Sequence, residues 1–277
     1  GGYRANDKQT HIWKINADGT SLTPLTSGNN INHFPAINQE GTQIAFVSYA
    51  TERQCDLWLY DIPSRQQTRL TEDAETHDTF PLFSADGRLF FLRGRRFGHN
   101  SPIASSDWKD FTVMLWNFEK QQAESLFDIE RDKRAEDFLI TPDGGTMAIV
   151  DIQGETFIDG NVRFYRYKEK TPQKVLETQR ETCSPNLENR VKMTTSVVDL
   201  FFSPDGKQAV FLTCAQPYKS NSDNLHILDL ASMRTRQLTH LDINALSKEH
   251  YELRKPVFFA SGQRFLFLIR LDGVSGT

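Results

Sequence analysis

The stretch "FPLFSADGRLFFLRG" (80–94) decides the fold. It reads as an apolar pair, a small polar turn with an Asp-Gly step, and a second apolar run. Each run is too short for a helix and rich in Phe and Leu, which predicts buried strands. Asp-Gly supplies the positive backbone angles of a tight hairpin, so a two-residue turn is expected between them. The same pattern recurs as "FPAINQEGTQIAFVS" (34–48), "DFLITPDGGTMAIVDI" (137–152), "DLFFSPDGKQAVFLTC" (199–214) and "KPVFFASGQRFLFLIR" (255–270). Its landmark glycines are Gly41, Gly87, Gly144, Gly206 and Gly262.

A second pattern alternates with the first. It appears as "HIWKINADGTSLTPLT" (11–26), "DLWLYDIPSRQQTRLT" (56–71), "TVMLWNFEKQQAESLF" (112–127), "NVRFYRYKEKTPQKVLE" (161–177) and "NLHILDLASMRTRQLT" (224–239). Its first strand alternates as a half-buried strand should, and its short polar second strand suits an outer edge. Four antiparallel strands per repeat make the blade of a β-propeller. The fold class is therefore all-β, as one propeller domain over 1–277. The chain opens with the second half of a blade and closes with the first half. Its ends can pair into one composite blade (1–26 with 255–277) beside blades 34–71, 80–127, 137–177 and 199–239, a five-bladed ring, with six or more blades if the chain is truncated.

These repeats resemble the TolB-type propeller family. "IWKINADGTSLTPLT" and "FFSPDGKQAVFL" follow that family's strand pair ending in Leu-Thr and its Ser-Pro-Asp-Gly hairpin. The likeness covers nearly the whole chain, sharply in 11–48, 56–94 and 199–239 and weakly in 112–177. It implies a propeller in the periplasm or at the surface of a bacterial cell. Propellers with this repeat serve as scaffolds, as parts of prolyl-oligopeptidase-like peptidases and as polysaccharide lyases, so the resemblance bears on fold more than on function.

Composition narrows the rest. A net charge of −4 leaves no basic stripe for nucleic acid. No run of about twenty apolar residues offers a membrane span, and no secretory signal peptide is read. Cys55, Cys183 and Cys214 cannot all pair, and their spacing fits no zinc motif. Cys214 reads as a buried small hydrophobe, while Cys55 and Cys183 fall in predicted loops where a disulfide is possible. No cofactor and no metal are expected.

Connections between the first and second strands, and between the third and fourth, are short. The extra length falls at the other end of the blades: 93–111, 178–197 and 240–254 are the longest such segments. Binding residues concentrate on long loops carried by a rigid scaffold. The inner strands start at that end, which brings His33, His77, Asp78, Glu136, Asp137, Asp199, Arg254 and Lys255 toward a channel mouth. A structural reading stands beside the binding one: Asp137 and Asp199 could accept neighbouring backbone N–H groups, His33 and His77 could order the segments before Phe-Pro, and Arg254 and Lys255 could pair with the carboxylates. The 93–111 segment adds Arg95, Arg96, His99 and Trp108, a set able to hold an anionic partner with Trp108 as a stacking surface. Leu246, His250 and Leu253 fall near one face of a predicted short helix over 240–254.

A serine peptidase would need a G-x-S-x-G elbow, which the chain lacks. A glycosidase would need two carboxylates about 5 Å or about 6.5–9.5 Å apart, for which Asp78, Glu136, Asp137 and Asp199 are candidates. A metal-dependent lyase would draw on His33, His77 and His250. The expectation is a binding module for a protein or peptide partner. The alternative is a carbohydrate-active enzyme or sugar-binding protein using the mouth.

Overall fold

The computed structural model describes residues 10–51, 54–73, 75–96, 108–129, 134–152, 160–176, 179–182, 191–214, 224–239, 250–259 and 264–272. The chain divides into two compact units, Gly1–Phe138 and Leu139–Thr277. Among the described residues there are strands and turns and no helix.

The first unit holds β1 (Trp13–Lys14), β2 (Thr23–Pro24), β3 (Ile31–Ile37), β4 (Gln43–Thr51), β5 (Gln54–Asp61), β6 (Gln66–Arg69), β7 (Thr76–Phe83), β8 (Leu89–Arg96), β9 (Trp108–Asn117) and β10 (Gln122–Asp128). Strand β11 (Arg134–Ile140) carries the boundary. The second unit continues with β12 (Thr146–Ile152), β13 (Gly160–Arg166), β14 (Lys174–Leu176), β15 (Gln179–Thr182), β16 (Val191–Phe202), β17 (Gln208–Cys214), β18 (Asn224–Asp229), β19 (Arg234–Gln237), β20 (His250–Phe258) and β21 (Phe265–Asp272). Four-stranded antiparallel arrays run β3-β4-β5-β6, β7-β8-β9-β10, β11-β12-β13-β14 and β16-β17-β18-β19, so the repeats read from the sequence are sheets of the expected kind. Strand β15 adds a fifth member on β16, while β1-β2 and β20-β21 are two-stranded sheets.

Each hairpin turn differs from the expected two-residue form. Ser84 N–H donates to the Arg88 carbonyl at 2.9 Å and Gly87 N–H to the Ser84 carbonyl at 2.9 Å, leaving a three-residue loop. Of the Asp-Gly step only Gly87 has positive φ, at +83°. That is a type I turn closed by a left-handed glycine. Asn38–Gln43, Thr141–Thr146 and Ser203–Gln208 close loops one residue longer. The Asp is placed by its side chain: the hydroxyls of Ser84, Thr141 and Ser203 donate to Asp86, Asp143 and Asp205 at 2.5–2.6 Å.

The core follows the strand alternation. In the first unit Ala45, Leu57, Leu89, Phe91, Met114 and Trp116 form one buried cluster, and Ile12, Ile44, Phe46 and Tyr60 another. In the second unit Ala148, Val162, Phe164, Leu200, Ala209, Phe211 and Leu228 do the same. A fully buried Phe such as Phe46, Phe90 or Phe91 contributes about 1.5–3 kcal/mol of transfer free energy. Gly94 is where the ring of Phe111 needs room, since a Cβ there would sit 2.7 Å from it.

The Leu-Thr ending of the second pattern has a defined task. Thr26, Thr71 and Thr239 each accept, through Oγ1, a backbone N–H of the segment beside them: Ile12, Leu57 and Leu225, all at 2.9 Å. Thr71 also lies within reach of the Asp78 carboxyl on β7 and helps to hold its pKa down. The first two sheets are joined at that point by one parallel pairing of β5 with β7, Cys55 opposite His77, and the Cys55 thiol donates to the Asp78 carbonyl at 3.3 Å. Cys55 is thus a buried strand residue rather than a loop residue. It is a free thiol, so the disulfide considered with Cys183 is not formed, and Cys183 itself lies outside the described residues.

Two further expectations are corrected. Residues 250–254 are strand, not helix: β20 pairs with β21 from His250–Asp272 to Phe258–Phe265, and backbone pairing overrides the local helical period; 240–249 lie outside the described residues. The ends of the 93–111 segment are also strand, with Arg95 opposite Lys109 and Arg96 opposite Trp108.

Thr71→Val keeps the volume but removes the buried acceptor for Leu57 N–H. Urea unfolding should show a loss of about 1–3 kcal/mol; a loss under about 0.5 kcal/mol would mean that the N–H finds another partner. His77, buried at the seam, has its pKa lowered by burial from 6.5 to about 4. Between those values the unfolded chain binds a proton that the folded chain does not, so stability falls as pH drops through this window. The loss attributable to His77 is at most about 3 kcal/mol, complete below about pH 4. Unfolding of the wild-type chain and His77→Gln at pH 7, 5 and 4 checks this, and parallel pH curves would refute it.

Candidate functional site

The site is built from the inner strands β3 and β7 of the first unit. Each carries a bulge at the same place in its repeat, between His33 and Ala36 and between Thr79 and Leu82. The bulged residues are Phe34 and Phe80, both preceding proline. Their ring centroids lie 4.7 Å apart at 48°. From Phe34 a line of rings continues through His33 at 6.0 Å, Tyr49 at 5.8 Å from His33, and His77 at 5.9 Å from Tyr49. Phe34 is 43 % exposed and His77 only 8 %, so the line runs from solvent into the seam between the sheets. Burial lowers the pKa of both histidines, which keeps these imidazoles neutral near pH 7.

Under the rings lies a pair of buried carboxylates. Asp78 receives Arg93 through Nε at 2.7 Å and Nη2 at 2.9 Å. Asp56 receives Arg69 Nη2 at 2.6 Å. Burial pushes both carboxyls up, against the downward pull of their arginines. A bidentate arginine satisfies both oxygens of Asp78 and fixes its plane. In the second unit Asp151 is likewise buried against an arginine, with Arg163 Nε 2.5 Å from Oδ2. Such a pair positions strands; it does not present a carboxylate to a substrate.

The predicted site residues therefore separate. His33, His77 and Asp78 come together at the β3–β7 seam, with His77 and Asp78 inside it. Asp137 is exposed, and its Oδ1 accepts the N–H of Phe138 at 2.8 Å. Glu136 lies on β11, Asp199 on β16, and His250, Arg254 and Lys255 on β20; their side chains are outside the described residues. Arg95 is exposed on β8, Arg96 and Trp108 pair at the end of the β8–β9 ladder, and His99 is outside the described residues. Tyr49, Thr71 and the Phe34–Phe80 contact were not foreseen. The one signal for the last was Phe-Pro at equal positions of two repeats.

Comparison with known proteins bears on the fold. No protein-family model matches the chain, and no curated protein matches it by sequence. Solved structures do match. TolB from Acinetobacter baumannii aligns at 18 % identity and a TM-score of 0.52, covering 94 % of this chain and 56 % of that one. A putative TolB from Agrobacterium tumefaciens aligns at 13 % identity and a TM-score of 0.52, covering 82 % and 73 %. Hydrazine synthase from Kuenenia stuttgartiensis aligns at 13 % identity and a TM-score of 0.55, covering 84 % and 61 %. The chain thus spans little more than half the length of the Acinetobacter protein. Among the described residues no helix is long and apolar enough to cross a membrane. The sheets, their order and these likenesses agree on one conclusion: the chain has a TolB-like propeller fold.

Proposed function

We propose that this chain is a non-catalytic binding module that presents the long-connection end of its blades to a protein or peptide. The observation that carries this reading is the state of Asp78, a carboxylate of the inner strand β7. It is buried, and Arg93 holds both of its oxygens. A general acid or base has to reach a substrate proton, and the Asp78 carboxylate is spent on a buried ion pair with Arg93, its cross-strand neighbour on β8. The second–third connections support the same reading. They leave from ladders that stay paired to their ends, β4–β5 out to Thr51 opposite Gln54 and β8–β9 out to Arg96 opposite Trp108. Paired strands give such connections a stiff base, which lowers the entropy lost on binding.

On this reading β1-β2 and β20-β21 are the halves of one composite blade, closing a five-bladed ring, and the module works in the bacterial periplasm or at the cell surface. The loop-face residues Arg95, Arg96, His99, Trp108 and His250, and the mouth residues His33, Glu136, Asp137, Asp199, Arg254 and Lys255, select the ligand. A sugar ligand or a carbohydrate-active enzyme is the alternative. Its support is the solvent-exposed position of Asp137 near an inner-strand start.

Peptides selected from a displayed random library against the full chain test the reading. Their affinity, measured by fluorescence polarisation, should fall by about tenfold or more in Arg95→Glu/Arg96→Glu. It should hold in Lys207→Glu, a change on a first–second turn at the opposite end of its sheet. No enrichment of peptides, together with cleavage or binding of acidic oligosaccharides, would overturn the proposal in favour of the alternative.

A further inference from the structure

Phe34 and Phe80 are held where neither local preference nor burial would put them. Their φ angles are +51° and +50°, a region that bulky side chains avoid. Each also precedes a proline, which pushes a residue toward the extended conformation instead. Backbone strain of this kind persists only where the surrounding structure imposes it, and it collects at ligand-binding positions. Core packing does not account for it at Phe34, which is 43 % exposed while Phe46, Phe90 and Phe91 are buried. The strain turns two rings from adjacent sheets toward each other, 4.7 Å apart, at the open end of the aromatic line.

We infer that Phe34 and Phe80 form a subsite for one ring-bearing peptide side chain, tryptophan, tyrosine or proline; this rests on the peptide-binding reading above. Three features favour a peptide over a sugar. The rings offer apolar faces, and tilted aromatic pairs accept a third ring edge-on or offset. Strand β3 ends its sheet, and beyond the isolated bridge between Thr10 and Ile31 no described strand pairs with its outer edge. A peptide backbone can use such an edge and a sugar cannot; Pro35, with no N–H, limits that pairing to a short segment. Finally, three of the neighbouring polar side chains are already engaged. Arg93 and Asp78 bind each other, and Asn32 donates to the Thr10 carbonyl at 2.9 Å. Sugar hydroxyls would meet few open partners there.

The full chain carrying 13C-labelled phenylalanine is titrated with N-acetyl-tryptophanamide, N-acetylprolinamide and methyl β-glucoside. The two amides should shift the ring resonances of Phe34 and Phe80, and the glucoside should not. Phe34→Gly and Phe80→Gly remove the ring and relieve the positive φ. Each should weaken amide binding by about tenfold while leaving the melting temperature unchanged or higher. Shifts with the glucoside alone, or none with any probe, would overturn the subsite. So would Gly variants that melt lower yet bind the amides as before, because the rings would then be packing groups. Library-selected peptides that bind the Gly variants and the wild-type chain equally well overturn the subsite and leave the peptide reading standing. Failure to select any peptide overturns both.

Discussion

A carboxylate taken out of water must be answered by a partner of opposite charge, and Asp78 is where the first unit meets that constraint. It is 1 % exposed, yet it belongs to an inner strand that has to join a second sheet. Breaking a buried pair costs far more than the pair contributes by being there, on the order of 3–5 kcal/mol when one partner is lost. Arg93 on Asp78 locks β7 to β8 within one hairpin, and the Cys55 thiol on the Asp78 carbonyl ties β7 to β5. Cys55 then falls opposite His77, and the two bulges come to the same level. The aromatic line from Phe80 to His77 is a consequence of that register.

This explains why a hydrophobic stack alone would not suffice. Apolar sheet faces slide over one another at small cost, because dispersion is non-directional and packing tolerates swaps of similar volume. The hydrogen-bonded seam has no such tolerance. Thr71 accepts Leu57 N–H on its own sheet, and the Cys55 thiol donates to the Asp78 carbonyl on the next, so the sheet is tied internally by one bond and to its neighbour by the other. Thr239 repeats the internal half of this arrangement in the second unit.

Much of this was legible in the residues. The strand pairs, their antiparallel order and the hairpin glycines follow from short apolar runs punctuated by Gly, and those signals are local. The turn type was misread, because Asp-Gly alone suggests two positive φ angles. The Ser or Thr two residues before the Asp captures its carboxylate and leaves only Gly in the left-handed region. The helix expected to reach 254 failed for a different reason: a seven-residue spacing of Leu246 and Leu253 says nothing about the strand that waits at 265–272 to pair with 250–258. At the site, the carboxylates and histidines were visible as residue types at inner-strand starts. Which of them would be buried was not, since burial of Asp78 depends on an arginine fifteen residues away across a hairpin.

The Phe34–Phe80 contact shows where sequence reading ends. A phenylalanine before proline looks like an ordinary extended residue, and nothing in its neighbours announces positive φ. The bulge arises because two inner-strand residues must oppose one on the partner strand. The left-handed turn at the bulge then swings the side chain off the face that alternation would give it. Pairing within each sheet and the seam between the sheets together fix both ends of the strained segment, so the strain cannot relax by local slippage. Replacing either phenylalanine with glycine would release the backbone without loosening those ends, which is why ring and strain can be separated by substitution at these two positions.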